Sequence, residues 1–168
     1  MPVAVLDWRG REINLLTSTE GLAPPDVEAR SAREFRVGAE RDVTVLIVDP
    51  FDLLRNKLAV NRPKDQPHIA ILRRFLDEEA VHGFAHENDP RARIGGAERL
   101  LEVLGAQTLE PPLAARLVPL ARTPADFRFL AHRVPGEAMV RDLIARAPSE
   151  EVKETVGAIA RRRGFACT

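Results

Sequence analysis

Lys57, Arg62, Lys64 and Asp65 are the densest set of residues able to do chemistry in this chain. They follow one another within VLIVDPFDLLRNKLAVNRPKDQPHIAILRRFL. Cations so close together can offer positive charge and N–H donors to phosphate oxygens. Asp65 can cap the helix that follows it or pair with Arg62. The same residues also suit an ordinary helix-turn-helix corner held by an Arg–Asp bridge, an arrangement of small energetic weight at a surface. Spacing leaves both readings open.

Other constellations are thinner. His82 and His86 stand four apart with Glu87 and Asp89 behind them, and on a helix that spacing would bring two imidazoles together for zinc. Gly83 and the Asn88-Asp89-Pro90 turn favour a solvated loop instead. Arg161, Arg162 and Arg163 form the one dense basic run; it suits a phosphate backbone, and equally a helix end whose dipole attracts cations. Serine occurs only at Ser18, Ser31 and Ser149, none in a Gly-x-Ser-x-Gly elbow. The lone cysteine, Cys167, can form neither an internal disulfide nor a cysteine-based zinc site.

The elements that must position these residues can be read from periodicity and punctuation. Residues 3–6 and 12–17 read as two short strands about a turn at Trp8-Arg9-Gly10, and a weak helix is expected over 24–32. A hairpin is expected from 34–37 and 43–48, its second strand VTVLIV being apolar enough for burial on both faces. Asp49 as N-cap and Pro50 at the first position start a helix that should end near Asn61, because Pro63 restricts its predecessor. A second helix is expected from Lys64 or Asp65 to about Glu79, with Ile69, Leu72, Phe75 and Leu76 as its apolar stripe.

HGFAHENDPRARIGG then reads as a linker, with Gly95-Gly96 marking a helix start. Beyond it, 97–104, 113–120, 124–132, 136–146 and 149–163 carry helical periodicity, the last opened by Ser149 before acidic residues. The expected organisation is an α/β region over 1–80, a linker over 81–96 and a helical region over 97–168.

Composition sets outer bounds. At 168 residues the chain can hold one domain, or a small domain with a helical appendix. Lys and Arg number 25 and so do Asp and Glu, so the whole-molecule basic field typical of non-specific nucleic-acid binders is missing. No apolar stretch approaches the roughly 18 residues of a membrane span, and the start of the chain is unlike a secretory leader. A reducing, cytoplasmic setting without membrane partners is the expectation.

The lysine-arginine-aspartate stretch resembles the closing segment of AbiEii-like and related minimal nucleotidyltransferases. There a leucine-rich helix carries a lysine, an arginine follows five residues on, an aspartate three later and a second aspartate three further. Lys57, Arg62 and Asp65 match that spacing, and REINLLTSTEGL resembles the family strand that bears the third catalytic carboxylate. The resemblance covers roughly residues 1–78. It implies an α+β fold, a truncated nucleotidyltransferase-like mixed sheet with helices, followed by a helical bundle.

The position of the third carboxylate is Asn14 and that of the second aspartate is His68, and the chain has no Gly-Ser pair and no D-x-D. Magnesium-dependent transfer relies on several carboxylates, so the resemblance implies a pseudoenzyme. Its substrate-binding residues would be Lys57, Arg62 and Lys64, with Asn14, Asp65 and His68 in support, and magnesium would enter only with a bound nucleotide. The expected partner is a nucleotide or a protein, including a homodimer covering the sheet; the alternatives are one half of a paired enzyme completed by another chain, and a helical protein that binds nucleic acid through the C-terminal arginines.

Overall fold

A computed structural model describes the backbone of four strands and, in full, residues 48–166. The strands are β1 (Val3–Trp8), β2 (Arg11–Leu16), β3 (Arg33–Val37) and β4 (Val43–Ile47). β1 pairs antiparallel with β2, with Val5 opposite Asn14, and β3 pairs antiparallel with β4, with Phe35 opposite Val45. These are two separate two-stranded ladders. The helix expected over 24–32, the side chains of the strands, and Cys167 lie outside the described residues.

From Pro50 onward the described chain is helical throughout, with short turns between helices. This corrects the expected α+β mixed sheet: among the described residues no third strand joins either hairpin, and those residues are predominantly α-helical. The expectation went astray at VTVLIV. A continuous apolar run suggests a strand inside a larger sheet that is covered on both faces, whereas β4 pairs with β3 alone among the described strands, and the burial of its side chains lies outside the described residues.

The chain divides into two compact units, 1–73 and 74–168. In the first, α1 (Pro50–Val60) starts as its residues dictate: the Asp49 carboxylate accepts from the Phe51 N–H at 2.9 Å and Pro50 fills the first turn, where a missing N–H costs nothing. Asn61 ends it in the left-handed conformation (φ 47°), its N–H bonded to the Lys57 carbonyl. Arg62 is extended ahead of Pro63, as the proline requires. A 3-10 turn over Pro63–Asp65 then feeds α2 (Gln66–His86), which crosses into the second unit.

The segment expected to be a linker is helical apart from Glu87–Asp89: α2 continues to His86, and α3 (Pro90–Leu104) follows at once. Asp89 caps α3 by accepting from the Ala92 N–H, and Pro90 sits in its first turn. Gly95 and Gly96 lie inside this helix and do not mark its start. A Cβ on Gly96 would come within 3.3 Å of the Ala80 backbone, so this glycine lets α2 and α3 approach closely. The expected stripe of α2 is corrected too. Ile69, Leu76, Ala80 and Phe84 are its buried row, whereas Phe75 is 42% exposed.

The second unit continues through α4 (Pro111–Leu117), a 3-10 turn, α5 (Pro124–Arg133), α6 (Glu137–Arg146) and α7 (Glu150–Arg162). Thr123 and Asp126 form a reciprocal capping box on α5, and the Ser149 hydroxyl caps α7. α5 packs on α3, α6 and α7, and Phe127, Leu130, Val140, Leu143 and Val156 form a closed apolar centre. Arg93 of α3 and Asp126 of α5 are buried beside it. Arg93 donates to Asp126 at 2.9 Å through Nη2, and also to the Leu120 and Glu87 carbonyls. The backbone N–H groups of Arg122 and Thr123 donate to the same carboxylate. Burial alone would raise the Asp126 pKa; the Arg93 and backbone donors outweigh it, and the net shift is downward.

Candidate functional site

The corner between α1 and α2 brings Lys57, Arg62, Asp65 and His68 together. Lys57 stands in the last turn of α1, and Asp65 closes the 3-10 turn that Pro63 initiates. One carboxylate oxygen of Asp65 accepts from Lys57 Nζ at 2.9 Å and the other from Arg62 Nε at 2.6 Å. Asp65 is only 3% exposed. The Arg62 bond first, then the Lys57 bond, hold its carboxyl down to about 2, against the smaller upward push of burial.

His68 Nδ1 lies 3.9 Å from Asp65, outside hydrogen-bonding range, and its ring is exposed. Lys64 is exposed as well. Asn14 sits on β2 opposite Val5, and its side chain lies outside the described residues.

Of the two readings of this corner, the Arg–Asp bridge is present. Among the described residues Arg62 bonds through Nε alone, and its side chain is 54% exposed. Two cations flank one carboxylate, and Lys64, next to Asp65 in sequence, is exposed. The corner therefore attracts anions, and the bridge holds two of its cations in fixed positions.

The pair His82 and His86 falls on regular helix, with ring centroids 4.5 Å apart. Among the described residues no group of three or more His, Cys, Asp and Glu side chains could hold a metal ion.

A second constellation, unforeseen from sequence, lies wholly in the second unit. An open cavity of about 660 Å³ is lined by Arg128, Arg133 and Arg163, with Phe129, Ile94 and Ala125 as its apolar wall and Glu98 as its one acid. Arg163 is not part of a solvated basic row: it turns back onto the end of α5, donating to the Ala131 carbonyl at 2.7 Å and the Val134 carbonyl at 2.8 Å. Arg133 donates to the Gln107 carbonyl. Removal from water, then the guanidiniums of Arg133, Arg163, Arg128 and Arg162, press the His132 pKa below the ordinary histidine value.

The signal that could have revealed this cavity is the spacing of Arg128 and His132, four apart on one helix face. The segment reads more readily as an aromatic core helix, which Phe127 and Phe129 also make it.

No protein family, curated protein or solved structure matches the chain. No helix among the described residues is long and apolar enough to cross a membrane.

Proposed function

We propose that the protein is a non-catalytic, nucleotidyltransferase-like module that binds the phosphates of a nucleotide at the α1–α2 corner. One observation carries the reading: buried Asp65 holds Lys57 and Arg62 side by side while the guanidinium end of Arg62 stays open to water. Ordering two cations before the ligand arrives lowers the entropic cost of gripping it. Phosphate oxygens would take the Nη donors of Arg62, which no described residue uses, and exposed Lys64 would add positive charge nearby.

Asn14 stands where the resembled enzymes carry a metal-binding carboxylate, and a neutral amide is a poor magnesium ligand. Binding without transfer is the consequence, with magnesium arriving only on the nucleotide. A reducing, cytoplasmic setting belongs to the same proposal, since a lone cysteine gives the chain no internal disulfide to maintain.

The test is isothermal titration with ATP, GTP, CTP and UTP, with and without magnesium. The Lys57→Ala, Arg62→Ala double variant and the milder Lys64→Ala are titrated in parallel, and circular dichroism checks that each is folded. Saturable binding lost in the folded double variant and weakened in Lys64→Ala is expected. Nucleotide binding that both variants keep, or the absence of heat with all four nucleotides, would sink the reading.

A further inference from the structure

The arginine-lined cavity lies wholly in the second unit and shares no lining residue with the α1–α2 corner. Two of its three arginines are fixed by backbone carbonyls instead of carboxylates. Arg163 is held by the Ala131 and Val134 carbonyls, and Arg133 by the Gln107 carbonyl. A carbonyl can take one N–H from a guanidinium, but it leaves the full positive charge in place.

Among the described residues no carboxylate pairs with Arg128, Arg133 or Arg163. Arg128 makes no hydrogen bond among those residues and lies exposed at the rim. Like charges gathered at one mouth repel one another, and the chain holds them there through α5 and the C-terminal end of α7. Removal from water first, and then these neighbouring guanidiniums, lower the His132 pKa.

We propose that this cavity binds a small organic phosphate. Three guanidiniums against the single carboxylate of Glu98 leave two positive charges on these side chains to be matched. A phosphate monoester dianion supplies two negative charges, and its oxygens fit the planar N–H forks of arginine; a monocarboxylate supplies one. The apolar wall along Phe129 and Ile94 gives the organic part a surface to cover. The volume of about 660 Å³ lies within the range of roughly 300–1,000 Å³ usual for small-molecule sites.

The test is titration of the full chain with phenyl phosphate, inorganic phosphate and benzoate, followed by heat and by the shift in melting temperature. The variants are Arg128→Gln, chosen because Arg128 has no structural bond to lose, and Arg128→Lys, which keeps the charge. Phenyl phosphate is expected to bind saturably and more tightly than either inorganic phosphate or benzoate. Arg128→Gln should weaken it roughly ten- to a hundredfold, the loss of one charge-assisted contact, and Arg128→Lys should weaken it less.

Repeating the titrations in the Lys57→Ala, Arg62→Ala background removes the phosphate contacts of the corner, so an Arg128-dependent site that remains there separates failure here from failure at the corner. No saturable binding, equal affinity in Arg128→Gln, or benzoate binding as well as phenyl phosphate would overturn the proposal. So would a short single-stranded oligonucleotide that binds more tightly than phenyl phosphate and competes with it, since that would make the surface a nucleic-acid site.

Discussion

Asp65 shows how much one side chain can organise. Its folded pKa of about 2 lies below the ordinary 3.8, so the unfolded chain binds the proton more readily. The stability it contributes is complete above about pH 4 and is lost as pH falls toward 2. Acid unfolding of the first unit, followed by the fluorescence of Trp8, should therefore fall more steeply between pH 4 and 2 in the native protein than in Asp65→Asn. Identical profiles would show that the bridge contributes nothing. Arg93 is the opposite kind of residue, 1% exposed and engaged by several acceptors. Arg93→Met strands the Asp126 carboxylate and should cost about 3–5 kcal/mol in urea unfolding; adding Asp126→Leu should not restore the loss, because the Arg122 and Thr123 N–H groups then lose their acceptor, and the Leu120 and Glu87 carbonyls remain without Arg93 as donor.

At the scale of the elements, the sharpest contrast lies between neighbouring glycines of α3. A Cβ at Gly95 meets nothing within 4 Å, so Gly95→Ala should stabilise by about 0.5–1 kcal/mol through helix propensity alone. Gly96→Ala gains the same propensity but pushes on the Ala80 backbone, and its melting temperature should fall below that of Gly95→Ala. Equal melting temperatures would mean that α2 and α3 separate without penalty.

These glycines also show where the sequence was hard to read. Caps are local chemistry, so Asp49, Ser149 and the end at Asn61 were legible from a few residues each. Gly95-Gly96 signals a boundary in local terms, and only the packing of two helices tells it apart from a close-approach site. The Lys57, Arg62 and Asp65 corner was legible because its members lie within nine residues. The second cavity was not, because Arg163 reaches α5 from some thirty positions away in sequence.

For the whole molecule, the division at Arg73 gives each unit its own interior. The single tryptophan, Trp8, belongs to the first unit, and most of the described helix belongs to the second. Urea unfolding followed by tryptophan emission and by far-ultraviolet circular dichroism should give two different midpoints; coincident curves would mean that the units melt as one. Net charge is zero, so attraction for polyanions is confined to local clusters of cations and should fade as salt is added. The buried pair Arg93 and Asp126 carries a consequence for descent. An arginine stays charged at any ordinary pH, so neither position can drift alone without passing through a crippled ancestor. Relatives of this protein should carry both residues or neither, and the two positions, 33 apart in the chain, should change together wherever its lineage is sampled.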